Sequence, residues 1–245
     1  MDVIPFIQSL ALFKHLPKDD LRLLHDQAVL KRYDKKSILY LIGDQADFFY
    51  IIMNGWVKLS KENEAGDEAV VAILTTGDSF GDAALGKGGL HANTAQIVEG
   101  ATILAVPSSA MRQVLQNNAD FSYRIVQSLS ERLQRLQLEN ANLSVMSTTQ
   151  RVGCFLLQLG FGLAEDRVEL TLPYDKSLAA SRLGMKAESF SRALKELGGA
   201  GVKVDRNKVV IESQQALRDF SCMNCAAMPE ECRRAKDGSC AACAE

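Results

Sequence analysis

The chain has 245 residues, enough for two domains of ordinary size, each with a buried core. Its content of 47% hydrophobic and 24% charged residues is typical of globular proteins. No apolar run approaches the roughly 18 residues of a membrane span, so no membrane partner is expected. The start, MDVIPFIQSLALF, lacks the basic segment of a secretory signal, which predicts a cytoplasmic chain. A net charge of −2 excludes a uniformly basic surface but allows a local basic face.

The first predicted domain, residues 1–107, is mainly β. Short runs rich in Val, Ile, Leu and Tyr are separated by glycines, at positions 43, 55, 66 and 77. The glycines recur every eleven or twelve residues. This spacing is typical of an antiparallel barrel or sandwich, with the glycines in its turns. SILYLI, FFYIIM, WVKLS, VVAIL and TILAV are the predicted strands.

The second predicted segment, residues 108–147, is one long helix without proline or glycine after Pro107. A stripe at steps of four and three residues predicts a seam that packs lengthwise on a second helix. The stripe is formed by Leu129, Leu133, Leu136, Asn140 and Leu143. We expect it to be a dimer interface with Asn140 fixing the register, although packing within one chain also fits fewer than three heptads.

The third predicted domain, residues 148–218, contains helix, strand, two short helices and a hairpin. The amphipathic TQRVGCFLLQL carries Cys154 among apolar neighbours, as expected of an inert core thiol. In DKSLAASRLGMKAESFSRALKEL, Gly184 marks the turn between two helices. The strand VKVD and its partner KVVIE turn at Arg206 and Asn207. This order predicts a small winged helix.

The second helix of this pair carries side chains that can read DNA. Arginine donates to guanine, glutamate accepts from cytosine, and serine or lysine can bind phosphates. From Tyr174 to Val210 there are eight Lys or Arg and four acidic residues, a net +4 in a chain of −2. An exposed salt bridge would explain Glu188 and Arg192 alone, but this charge favours DNA. The candidate DNA contacts are Lys176, Lys186, Glu188, Ser189, Ser191, Arg192 and Lys195.

This order of segments resembles the CRP/FNR family of bacterial transcription regulators. GDQADFFYIIMNGWVKL, GDSFGDAAL and KSLAASRLGMKAESFSRALKEL are similar to the family's β-roll opening, its glycine-acid corner and its helix–turn–helix. The resemblance covers roughly residues 10 to 218 and implies an α+β fold. That fold has a cyclic-nucleotide-binding-like β-roll with N-terminal helices, a long dimerisation helix and a C-terminal winged helix–turn–helix. Glu188, Ser191 and Arg192 match the E-x-x-S-R form of the FNR branch, which implies a TTGAT-like half-site and, for a homodimer, an inverted repeat. RNA polymerase is a further implied partner.

The resemblance also implies an effector pocket at Gly81, Asp82, Asn93 and Thr94. Cyclic-nucleotide binders of the family carry an Arg-Ser pair where this chain has Asn93 and Thr94. Without that cation a buried cyclic phosphate lacks its charge-assisted partner, which argues against cyclic AMP. A redox or gas signal is the alternative. Haem is one candidate cofactor, with His15, His25 or His91 as its ligand.

The last predicted segment, residues 219–245, holds five of the six cysteines: Cys222, Cys225, Cys232, Cys240 and Cys243. Two C-x2-C pairs with a fifth thiol can bind zinc or an iron–sulfur cluster, and the spacing does not choose between them. A thiol–disulfide switch or an inert, disordered tail are the other interpretations. Some members of the resembled family bind a cluster through cysteines after the winged helix, with tighter spacing than here.

An enzyme is not expected, because the chain has no P-loop, GxGxxG, nucleophile elbow or H-E-x-x-H. The predicted function is a redox- or gas-responsive DNA-binding regulator. A signalling module that uses its winged helix for protein contacts is the remaining alternative.

Overall fold

The computed structural model describes residues 3–62, 66, 68–86, 88–160, 165–172, 175–206 and 208–222. Internal contacts divide the chain into two compact units, residues 1–130 and 131–245, and each is described here by itself. Within the described residues, no helix is both long enough and apolar enough to cross a membrane.

The first unit is an antiparallel β-roll preceded and followed by helices. Its helices are α1 (Val3–Ser9), α2 (Lys18–Gln27) and α3 (Ser108–Asn117), with a 3-10 turn at Asp82–Leu85 and the start of α4 (Ala119–Val145). Its strands are β1 (Val29–Tyr33), β2 (Ile38–Tyr40), β3 (Phe48–Glu62), β4 (Glu68–Leu74), β5 (Ser79–Phe80) and β6 (Thr94–Pro107). The sheet order is β1-β6-β3-β4, with β2 on β6 and β5 on β3.

The predicted strands FFYIIM and WVKLS form one continuous strand, β3, instead of two. The register with β6 shifts between Ile52 and Val57, which marks a bulge around Gly55. Gly55 has a φ of 101°, and a Cβ there would lie 2.7 Å from the Cα of Ala101 on β6. Glycine therefore bends the strand without ending it.

The single helix predicted for residues 108–147 is wrong, because the segment forms two helices separated by Asn118. Asn118 has an extended backbone, with φ −128° and ψ 98°. Its Oδ1 accepts from the N–H of Phe121 at 2.9 Å, and its Nδ2 donates to Asp20 at 2.9 Å. The asparagine thus caps α4 and ties it to α2. The cap on Phe121 is a local signal, whereas the contact with Asp20 joins residues 98 positions apart and is not visible in local composition.

The second unit contains the end of α4 and a small α/β domain. Its helices are α5 (Thr148–Leu159), α6 (Lys176–Arg182), α7 (Ala187–Glu196) and α8 (Gln214–Ser221), with a 3-10 turn at Leu197–Ala200. Its strands β7 (Val168–Thr171), β8 (Val202–Asp205) and β9 (Lys208–Ile211) form an antiparallel sheet in the order β7-β9-β8. One core, including Leu156, Phe190 and Val209, joins these helices to the sheet.

The fold continues beyond the boundary predicted at residue 218, because α8 extends to Ser221. Ser213 caps this helix, and Leu217 and Ser221 are fully buried. A Cβ on Gly153 of α5 would lie 2.0 Å from the Ser221 hydroxyl, so the two helices approach closely. Residues 219–221 therefore belong to the winged-helix domain, and Cys222 follows the helix directly.

Candidate nucleic-acid interface

The helix–turn–helix is built by local capping and one left-handed residue. The Asp175 carboxylate accepts from the N–H of Leu178 at 2.8 Å and starts α6. Gly184 adopts a φ of 61°, and the N–H of Met185 donates to the carbonyl oxygen of Ala180 at 3.0 Å. This turn directs the chain into α7 after only two further residues. The predicted turn at Gly184 is confirmed.

Helix α7 has one buried and one solvent-facing side. Phe190, Ala193 and Leu194 are buried. The ring of Phe190 packs edge-on against the ring of Phe155, with 6.4 Å between the ring centroids. Of the predicted DNA contacts, Lys186, Glu188, Ser191, Arg192 and Lys195 are exposed, whereas Ser189 and Lys176 are half-buried. The exposed set combines donors, an acceptor and cations on one short helix. Such a face can bind base edges and phosphates.

Two side chains of α5 hold this helix pair in place. The Thr149 hydroxyl donates to the carboxylate of Glu196 near the end of α7. Arg151 donates to the carbonyl of Leu183 at 3.1 Å, at the end of α6. Burial lowers the pKa of Arg151 from its ordinary value. The sequence pattern did not single out these contacts, because each joins segments more than thirty residues apart.

The predicted effector residues lie around the glycine-acid corner of the β-roll. Gly81 has a φ of 84° and precedes the 3-10 turn that begins at Asp82. Asn93 Oδ1 accepts from the Tyr40 hydroxyl at 3.3 Å, and Thr94 Oγ1 accepts from the N–H of Ile42 at 3.1 Å. The predicted polar groups therefore bond to their own chain.

A cation does lie beside this corner, although the sequence pattern did not indicate it. Arg112 of α3 donates from Nη1 to the carbonyls of Ala84 and Gly86, at 3.0 and 3.2 Å. These bonds hold the 3-10 turn on α3.

Family models match the chain over the same two regions. A cyclic nucleotide-binding domain matches residues 30–118, and a Crp-like helix-turn-helix domain matches residues 150–220. The first match covers the β-roll through α3, and the second covers α5 through α8. The chain belongs to the CRP/FNR family of transcription regulators.

Several relatives support this membership along most of the chain. The global nitrogen regulator of Synechocystis sp. is 28% identical over 198 residues, 77% of this chain and 87% of the relative. The cAMP-activated global transcriptional regulator CRP of Pasteurella multocida is 27% identical over 175 residues, 69% of this chain and 82% of the relative. A crystal structure from Ruegeria pomeroyi, of a protein named for cyclic-nucleotide binding, is 35% identical with a TM-score of 0.62. It covers 89% of this chain and 96% of its own.

The stripe predicted for dimerisation lies on the surface of α4 in this CRP/FNR chain. Leu133 and Leu143 are 56% and 54% exposed, and Leu129, Leu136 and Asn140 are exposed as well. Val126, 59% exposed, lies one step of three before Leu129 and extends the stripe by one position. Large exposed apolar side chains in a continuous row are typical of an interface.

The three histidines predicted as haem ligands occupy different environments. His15 is exposed, and the Nδ1 of His25 lies 3.0 Å from the Oδ1 of Asp26. His91 is buried, with its ring stacked on Tyr40 at 3.5 Å and 7° between the planes. Burial lowers the pKa of His91, whereas the negative charges of Asp44 and Asp47 act to raise it, and the net shift is downward. His91 would have to leave the stack to reach a porphyrin, so the packing does not fit haem at this residue.

The cysteine cluster lies mostly outside the described residues. Cys222 is half-buried and packs against the winged-helix core, whereas Cys225, Cys232, Cys240 and Cys243 are not among the residues that the structure describes. In the described part, no group of three His, Cys, Asp or Glu could hold a metal ion. Cys154 is buried on α5, as predicted for a core thiol.

Proposed function

We propose that this protein is a homodimeric regulator that binds a TTGAT-like inverted repeat and responds to a redox or gas signal instead of cyclic AMP. The solvent-facing side of α7, with Glu188, Ser191 and Arg192, carries the proposal. Arginine and glutamate on one helix face can select guanine and cytosine respectively. Family membership supports DNA binding, and the E-x-x-S-R pattern supports the half-site.

The half-site is tested by a gel shift on an inverted TTGAT repeat, with a duplex of scrambled half-sites as competitor. We expect Arg192→Ala to lose about 1–3 kcal/mol of binding free energy per half-site and to relax the preference at one base pair. Arg22→Ala, an exposed arginine on α2, is the charge-matched control and should bind like the wild type. Equal binding of Arg192→Ala and wild type would contradict the assignment.

Dimerisation through α4 is the second part of the proposal, supported by the exposed stripe from Val126 to Leu143. A carboxylate in the middle of an apolar seam would be buried without a partner, which opposes association. We expect Leu133→Asp to sediment as a monomer and to bind the palindrome weakly. Gln134→Asp changes the neighbouring exposed position outside the stripe and should remain dimeric. A dimeric Leu133→Asp would rule out this interface.

Cyclic AMP activates the Pasteurella relative, but we propose a different signal for this chain. The polar groups of Asn93 and Thr94 are engaged by Tyr40 and Ile42, and Arg112 is engaged by two carbonyls. A ligand that binds the folded protein, present at about 100 times its Kd, would stabilise it by about 2.7 kcal/mol. Because the polar groups of the pocket are already engaged, we expect millimolar cyclic AMP to leave the melting temperature unchanged. A clear rise would contradict the proposal.

The signal site proposed here is the cysteine cluster, with zinc or an iron–sulfur centre bound by thiolates. Its support is the cysteine spacing and the position of Cys222 against the DNA-binding domain's core. Protein purified without air should contain iron and sulfide, or zinc, and a Soret band would indicate haem instead. Truncation after Cys222 preserves α8 and should abolish both the bound metal and any change in DNA affinity on oxidation. Unaltered metal content would exclude the cysteine cluster as the metal site.

A further inference from the structure

Three consecutive residues at the start of α5 each contact a different helix of the DNA-binding unit. Thr149 bonds to the end of α7, and Arg151 bonds to the end of α6. Between them, the Nε2 of Gln150 donates to the carbonyl oxygen of Phe220 in α8, at 3.5 Å. Successive side chains of a helix point about 100° apart, which allows one turn to reach three neighbours. The first turn of α5 thus connects α8 to the helix–turn–helix.

The side-chain amide of Gln150 is buried and uses both of its ends. Its Oε1 accepts from the N–H of Ser147, the residue that caps α5, at 3.0 Å. The Ser147 hydroxyl accepts in return from the N–H of Gln150 at 3.2 Å. This reciprocal capping box fixes the amide on α5 while its Nε2 reaches α8. One side chain therefore joins the start of α5 to the end of α8.

The last turn of α8 lies directly against α5. Ser221 is fully buried, and a Cβ on Gly153 would lie 2.0 Å from its hydroxyl. Within the described residues, the Ser221 hydroxyl has no hydrogen-bond partner, so it does not anchor the turn. The carbonyl of Phe220 is bonded to Gln150, and Cys222 follows the turn directly. A displacement at Cys222 therefore acts first on the turn that Gln150 holds.

We infer that Gln150 is a positioning residue for DNA recognition, which couples the end of α8 to α6 and α7 through the first turn of α5. The inference rests on the proposed DNA binding and gives a route to α7 from Cys222, the first member of the proposed cysteine site. Base contacts depend on the exact placement of α7, whereas phosphate contacts carry no sequence information. Loss of this coupling should therefore reduce selectivity more than affinity for any duplex.

Gln150→Glu tests the link to α8 while retaining the start of α5. A carboxylate still accepts from the N–H of Ser147, but it cannot donate to the Phe220 carbonyl. Fluorescence titrations with the inverted TTGAT repeat and with a scrambled duplex give the ratio of the two affinities. We expect this ratio to fall about 2- to 30-fold, the range of typical coupling effects. Gln215→Glu, the same change at an exposed position of α8, should retain the wild-type ratio.

The ratio separates a positioning role from a merely structural one. An equal loss of affinity for both duplexes in Gln150→Glu would indicate a structural role alone. That result, an unchanged ratio, or an equal fall in Gln215→Glu would overturn the inference while leaving the proposed function intact. Wild-type protein that binds neither duplex would overturn both.

Gly153→Ala disturbs the same turn of α8 without changing Gln150, which keeps the inference testable if Gln150→Glu does not fold. Its Cβ displaces the Ser221 side chain. Amide hydrogen exchange, followed by mass spectrometry, should therefore become faster in α8 and also in α6 and α7. Gly153→Ala/Ser221→Gly removes the obstructing side chain and should restore slow exchange and the wild-type affinity ratio. Faster exchange in α8 alone, or unaltered exchange in all three helices, would overturn the inference.

Discussion

The two units use their polar residues in opposite ways. In the winged helix, Glu188, Ser191 and Arg192 face solvent, and other residues of the same helix, such as Phe190, contribute to the core. In the β-roll, Asn93 and Thr94 bond to their own chain, and His91 is stacked inside. The solvent-facing polar side of a helix can thus be predicted from spacing alone. An interior site depends on which groups the fold has already engaged.

The largest expected effect separates the two sides of α7. Phe190→Ala should reduce the free energy of unfolding by about 3–5 kcal/mol, because it removes a fully buried ring from the core. Arg192→Ala should change it by no more than about 0.5 kcal/mol, since the side chain is exposed. Urea unfolding monitored by circular dichroism measures both. Similar stability losses for the two variants would mean that α7 does not divide into a core side and a binding side.

A smaller effect is expected at the glycine-acid corner of the β-roll. A Cβ on Gly81 would lie 2.9 Å from the carbonyl oxygen of Phe48, whereas a Cβ on Gly43 meets nothing within 4 Å. Both residues have left-handed backbones, with φ values of 84° and 86°. Gly43→Ala should therefore lower the free energy of unfolding by about 1–2 kcal/mol through backbone strain alone. Gly81→Ala should lower it by about 1–3 kcal/mol more, because its Cβ also clashes.

Thermal unfolding of these two variants provides the measurement. Equal costs at Gly43 and Gly81 would show that close packing does not restrict the corner. The predicted effector residues would then lie in a looser environment than the distances indicate.

The smallest effect is the pH dependence of the β-roll. Burial lowers the folded-state pKa of His91 below its ordinary value, so the unfolded chain takes up this proton more readily. The contribution to stability is therefore full above pH ~6.5 and is lost progressively as the pH falls below that value. Wild-type protein should lose more thermal stability between pH 7.5 and pH 5 than His91→Phe does.

His15→Gln, at an exposed position, is the control for this comparison and should follow the wild type. Identical pH profiles for wild type and His91→Phe would show that His91 makes no contribution to acid sensitivity.

Much of the winged helix could be predicted from local pattern. The apolar spacing of Phe190, Leu194 and Leu197, together with Gly184, indicated both helices, and the family match agrees. Capping and periodicity act within a few residues of one another, so one stretch of sequence contains the whole signal.

The sequence by itself determined the order of segments, the face of α7 and the apolar stripe on α4, because these follow from the period of a helix and from chain order. Only the tertiary structure decided that Asn118 ties α4 to α2 through Asp20, that Gly55 bends one strand instead of separating two, and that Glu212 neutralises Lys203. Each of these depends on a partner from another segment, which spacing along the chain does not reveal.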